Sequence, residues 1–313
     1  MREKQETSRR RKRNDSSFIS TAGKIASASV AASGILLLSQ ALYIAYKTPR
    51  LPPPEYSGHD FHIDGLLVDK RCEASDTNEE EFKLLLLGDS PVEGIGNDTH
   101  DVALGGRTAA EFSKALGQRV RYWSYGKSGL TASGIKDEMF PYLKKIIAIH
   151  GHIDAVVISC GVNNVLIGQT AKTFGDEVIN LIESIQSCTA KNTEIILMEL
   201  LDFKWMPFIP YPLSKIASWK SRALQSEMES IVKHYQDCDN CGKSCIVKMA
   251  YLPPVEQILK DKSHHTLNHI KCSKELDDLQ LGDFFADDGF HPAKHGNIVI
   301  GKILASTYTS KYY

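Results

Sequence analysis

A serine that closes an apolar run, and an Asp-x-x-His far downstream, are the residues of this chain whose types and spacing could do chemistry. Phe82–Leu87 is mostly apolar and leads into Gly88-Asp89-Ser90, and nearly two hundred residues later stands Asp288-Gly289-Phe290-His291. A serine hydroxyl is a weak nucleophile at neutral pH and needs a base within hydrogen-bond reach. His291 could be that base, and Asp288 could accept its other ring N–H and so fix its tautomer and orientation. A tetrahedral intermediate also needs donors for its oxyanion. The backbone N–H groups of Ser90 and Gly129 could supply two, and the side-chain amide of Asn163 a third. Asp287 competes with Asp288 as the orienting carboxylate, but the three-residue spacing favours Asp288. Asp89 reads as structural, its carboxylate shaping the nucleophile turn through loop amides. His295 reads as a surface residue.

Such residues need a frame. The candidate strands are Phe82–Leu87, Val120–Tyr125, Ala155–Cys160, Glu194–Leu200 and Cys245–Met249. They are mostly continuous apolar runs, as expected when helices cover both faces of a parallel sheet. Between and after them lie helical candidates: Gly106–Leu116, Ile135–Ile149, Ala171–Ser187, Leu213–Tyr235 and Ile298–Tyr308. This alternation predicts a doubly wound α/β sandwich. Ligands of such folds bind outside the carboxyl ends of the strands. Ser90 follows the first strand, Gly129 the second, and Gly161 and Asn163 the third. The stretch Phe203–Tyr211 is aromatic and apolar, and could be an acyl-binding wall, a lid or core.

Over about residues 82–310 the chain resembles the SGNH (GDSL-type) hydrolase superfamily. Gly88-Asp89-Ser90 with Gly94 and Gly96 is similar to its nucleophile block, and Ser128-Gly129-Leu130-Thr131 to the block whose glycine serves the oxyanion. Gly161-Val162-Asn163-Asn164 resembles its Gly-x-Asn-Asp block, and Asp288-x-x-His291 its closing block. Two positions depart from the pattern. Pro91 follows the serine, and Asn164 stands where Asp is usual. The segments Pro49–Pro52 and Phe208–Leu213 resemble a membrane-anchored bacterial-type branch.

The resemblance implies a three-layer α/β/α sandwich with a mostly parallel, flavodoxin-like sheet. It implies a serine esterase acting on carboxylic esters through an acyl-enzyme, with Ser90, Asp288 and His291 catalytic and Ser90, Gly129 and Asn163 holding the oxyanion. It implies neither metal nor cofactor. The substrate class stays open between lipid or lysophospholipid esters and acetylated carbohydrate. Two alternatives share the fold: a catalytically inactive binding protein, and an acyltransferase using the same triad.

The 313 residues are 42% hydrophobic and 24% charged, which are globular values, with room for one α/β domain and extras. The net charge of -1 gives no reason to expect a nucleic-acid partner. Residues 1–24 form a basic tail, with Arg9–Arg13 at its centre. Ile25–Tyr46 carries no charged residue and has about the length a bilayer requires. More Lys and Arg precede it than follow, which leaves the N-terminus cytosolic. The expectation is a single-pass signal anchor over 25–46, with the catalytic body on the lumenal or extracellular side. A cleaved signal peptide, an organellar presequence and a buried helix are the alternatives. Residues 47–80, proline-rich at Pro49–Tyr56, read as a spacer, and 81–313 as the hydrolase domain. Of seven cysteines, Cys238, Cys241, Cys245 and Cys272 cluster with His264, His265 and His269. Disulfides, a structural zinc and free thiols are all open there. Cys160, at the end of a candidate strand, is the best candidate for a free thiol.

Overall fold

The four leucines Leu84–Leu87 are wholly buried because the strand that carries them has helices on both sides. Successive side chains of a strand point to opposite faces. Leu85 and Leu87 join one apolar cluster, Leu84 and Leu86 the other. The computed structural model describes residues 36–40, 42–44, 46–54, 62–67, 81–206, 209–238, 246–253 and 280–310. Six strands form one sheet: β1 (His62–Leu67), β2 (Phe82–Gly88), β3 (Val120–Gly126), β4 (Ala155–Ser159), β5 (Glu194–Met198) and β6 (Ile246–Ala250). Their order is β1-β3-β2-β4-β5-β6. Every pairing is parallel except β1 with β3.

The helices are α1 (Ser90–Glu93), α2 (Leu104–Leu116), α3 (Ala132–His150), α4 (Val162–Leu166), α5 (Ala171–Gln186), α6 (Leu213–Cys238) and α7 (Lys294–Thr309). On one face of the sheet α2 and α7 bury Leu104, Phe112, Val299 and Leu304. On the other, α3, α5 and α6 bury Ile135, Leu143, Phe174, Leu181 and Met228. The result is the three-layer α/β/α sandwich with a mostly parallel sheet. Each of the five predicted strands and five predicted helices is present, with ends displaced by a few residues.

β1 lies inside 47–80, which the sequence marks as spacer. The reason is composition: HIDGLL holds Asp and Gly, both depleted in strands, and has no continuous apolar run. An edge strand needs only one partner, and β1 takes β3 in register from His62↔Tyr125 to Leu67↔Val120. The Pro-rich stretch is also held by the domain, since Gly96 N–H donates to Pro52 O at 3.2 Å.

The chain divides into two compact units, residues 1–48 with 210–213, and residues 49–209 with 214–313. In the first, residues 36–40, 42–44 and 46–47 are helical. There the Gln40 side chain donates to Tyr211 O at 2.7 Å and accepts from Leu213 N–H at 3.3 Å. Leu36, Leu38, Leu42, Tyr43 and Tyr46 are exposed. No helix among the described residues is long and apolar enough to cross a membrane. Residues 25–35, half of the expected anchor, lie outside the described residues, as does the basic tail. So do Cys72, Cys241, Cys245, Cys272, His264, His265 and His269. Among the described residues Cys160 and Cys188 are free thiols, Cys160 buried.

Candidate active site

β2 ends at Gly88, and after Asp89 the chain turns at once into α1, whose first residue is Ser90. Asp89 O accepts from Val92 N–H and Glu93 N–H, both at 3.1 Å, which closes the turn. Pro91 fits here without cost, because the first-turn N–H that proline lacks has no helical partner anyway. Ser90 is almost buried, at 8% exposure.

The other oxyanion candidates arrive from the neighbouring strand ends. Gly129 sits beyond β3 in an exposed turn at φ +85°, where a side chain would be strained. Asn163 lies in α4, just past β4. Its Nδ2 donates to Leu130 O at 2.9 Å and to Asp89 Oδ2 at 3.2 Å, so both amide hydrogens are engaged. Asp89 is 1% exposed, and its Oδ1 accepts from Ser159 Oγ at 3.0 Å. Its carboxylate thus meets two side chains, and its own backbone amide as well, in partial agreement with the loop amides the sequence suggests. Burial pushes the Asp89 carboxyl up to about 6, against the opposing pull of the Ser159 hydrogen bond.

The closing block is built over four residues. Asp288 Oδ1 accepts from Phe290 N–H at 2.9 Å and His291 N–H at 3.0 Å. Asp288 Oδ2 meets His291 Nδ1 at 2.5 Å. Burial works to raise the Asp288 carboxyl, but the hydrogen bonds from the His291 ring and from these backbone amides outweigh it and hold the carboxyl below its ordinary range. The bond to Nδ1 puts the proton there and leaves Nε2 as acceptor. Nε2 is buried with no hydrogen-bond partner among the described residues. Asp287 is exposed and takes no part, and His295 is half-buried on α7.

Ser90 and His291 line one cavity of about 120 Å³ with Asp89 and Ser159. Its other walls are mostly apolar: Met198, Leu200, Met206, Phe284, Val299 and Ile303 among them. Of the Phe203–Tyr211 stretch, Phe203 is core and Met206 lines this cavity. Glu199 also lines it, and burial raises its carboxyl.

Three supporting residues escape a reading of the sequence. Ser159 closes β4 and holds Asp89, and its one signal is a hydroxyl at the end of an apolar run. Glu93 is a buried carboxylate three residues after Ser90. Glu177, on α5, accepts from Asn164 Nδ2 at 3.1 Å, from Gln169 Nε2 at 2.5 Å and from Ser133 N–H at 3.2 Å. Asn164 Oδ1 in turn accepts from Ala132 N–H at 3.2 Å, tying α4 to the start of α3.

A family model described as GDSL-like Lipase/Acylhydrolase matches residues 84–304. The chain belongs to this family. It is therefore a serine ester hydrolase of the GDSL (SGNH) type. Similar solved structures include TesA, 17% identical with a TM-score of 0.46, covering 72% of this chain and 98% of that one. A lipase/acylhydrolase from Enterococcus faecalis is 17% identical with a TM-score of 0.47, covering 72% of this chain and 93% of its own. The esterase EstA from Pseudoalteromonas sp. is 16% identical with a TM-score of 0.45, covering 73% and 97%. A search of curated proteins returns no match. The matched span of the GDSL family encloses Ser90, Gly129, Asn163, Asp288 and His291.

Proposed function

We propose that the protein cleaves carboxylic esters of apolar acyl chains through an acyl-enzyme on Ser90. The observation that carries this is His291: Nδ1 held by Asp288 at 2.5 Å, Nε2 buried without a partner, in the cavity that Ser90 lines. Nε2 takes the Ser90 proton as Oγ attacks the ester carbonyl. The C–O bond to the leaving alcohol then breaks as His291 returns the proton to it, and water repeats the sequence to release the acid. Asp288, kept ionised, stabilises the imidazolium that forms in between. The oxyanion is held by the N–H groups of Ser90 and Gly129, with Asn163 turning one amide hydrogen from Asp89 Oδ2 toward it.

The cavity walls favour a hydrocarbon chain over an acetyl group. Met198, Leu200, Phe284, Val299 and Ile303 offer no polar partner to a sugar, and each CH₂ buried there contributes about 0.8 kcal/mol. Lysophospholipid or another lipid ester is the class we favour. The apolar run 25–46 serves as a membrane anchor in this reading, with the catalytic body on the non-cytosolic side. Full-length protein should then stay with membranes through alkaline carbonate and leave them only in detergent; release by carbonate would exclude the anchor.

A fluorophosphonate probe tests the chemistry. Wild-type protein should be labelled at Ser90, and Ser90→Ala and His291→Ala should not. A series of p-nitrophenyl esters should then give kcat/KM rising from acetate toward medium chains. Folded wild-type protein that takes up no probe would overturn the esterase reading.

A further inference from the structure

We propose that Glu93 is a positioning residue for the oxyanion site: it clamps the turn that carries Gly129 to the helix that carries Ser90. The inference rests on the esterase reading above and deepens it. Glu93 stands three residues after Ser90, in the same four-residue helix α1, and its side chain is 9% exposed. One oxygen, Oε2, accepts from Ser128 N–H at 2.6 Å and from Ser128 Oγ at 2.5 Å. Ser128 immediately precedes Gly129.

The turn needs such a hold. Lys127–Gly129 lies toward solvent, and Gly129 is in the left-handed region. Its own backbone bonds are long: Leu130 N–H to Lys127 O at 3.4 Å and Lys127 N–H to Gly88 O at 3.2 Å. The bonds to Glu93 are shorter, as expected when the acceptor is a carboxylate. On its far side the turn also receives Asn163, through Leu130 O. The base of α1 is itself set against β3. Ser124 Oγ donates to Val92 O at 2.9 Å, and a Cβ on Gly126 would collide with the Glu93 amide. Ser90 and Gly129 are thus joined by one short rigid link, α1–Glu93–Ser128, rather than only through the sheet. An oxyanion donor is useful when it sits 2.7–3.1 Å from where the charge develops. Without the clamp the Gly129 amide would be averaged over a mobile turn.

The test follows phosphonylation by a fluorophosphonate, in which the Ser90 Oγ–P bond forms, the P–F bond breaks and the phosphoryl oxygen occupies the oxyanion site. Glu93→Ala should keep its thermal midpoint well above the assay temperature. Its kinact should fall at least about tenfold with Ki within about twofold, a fraction of the roughly 10²–10³ that a lost oxyanion donor costs. Glu93→Gln retains an oxygen that accepts both Ser128 hydrogens and should recover to within about threefold of wild type. Ser128→Ala, which removes only the hydroxyl arm, should fall in between. A folded Glu93→Ala labelled at the wild-type rate would overturn the clamp, and so would a change in Ki alone or a Glu93→Gln as slow as Glu93→Ala. If Glu93→Ala does not fold, Ser128→Ala decides: an unchanged kinact there overturns the proposal. Wild-type protein that takes no probe fails differently, since it removes the esterase reading and the clamp with it.

Discussion

Two buried aspartates organise the two halves of this site, and their surroundings push them in opposite directions. Asp288 has its carboxylate tied to the His291 ring and to two backbone N–H groups, and is held below the ordinary range despite burial. Asp89 has two neutral side-chain donors, Ser159 and Asn163, and its own backbone amide, yet burial wins, pushing it up to about 6. One region therefore stays ionised and, in the proposed mechanism, orients the base. The other changes charge near neutrality and holds the Asn163 amide that the proposal assigns to the oxyanion. The contrast has two causes: Asp89 is the more deeply buried, and its donors are neutral where Asp288 has the His291 ring.

The comparison breaks most sharply at Asp288. Asp288→Asn keeps the volume but offers Nδ1 an amide in place of a carboxylate, which favours the wrong imidazole tautomer. We expect kcat to fall about 10⁴-fold with KM little changed, as steady-state hydrolysis of a p-nitrophenyl ester would measure. A loss of less than about tenfold would mean that the pair is structural. The next effect is on the other side. Asn163→Ala should lower kcat by roughly 10²–10³ if its amide serves the oxyanion. It would lower stability more than kcat if the bonds to Leu130 O and Asp89 were its only role. Parallel melting and rate measurements separate the two.

The same contrast explains what could be read from the chain beforehand. Asp288 and His291 are three residues apart in one turn, so their partnership is written in local spacing. The parallel sheet was equally legible, because runs such as LLLL and AVVIS bury both faces of a strand. The Asp89 centre was not. It draws on β2, β4 and α4 through residues about 70 apart in sequence, Ser159 and Asn163, which single-chain patterns do not join. β1 was hidden for a related reason: an edge strand is stabilised by its pairing with β3 rather than by an apolar run of its own.

The smallest expected effect sharpens the comparison most directly, through stability as a function of pH. Asp89 titrates near 3.8 when unfolded and at about 6 when folded, so its folded form prefers the proton. The stability it contributes is complete below the unfolded value and is lost as pH rises through 6, by about 3 kcal/mol once the group is fully ionised. Asp288 has the opposite sign: its contribution is present above the unfolded carboxylate range and is lost as pH falls through its lowered folded value. Asp89→Asn should therefore abolish the decline of stability between about pH 4 and 6 while leaving the loss below pH 4 in place. Denaturation curves at matched ionic strength would show it, and parallel profiles for variant and wild type across about pH 4–6 would rule out a raised Asp89.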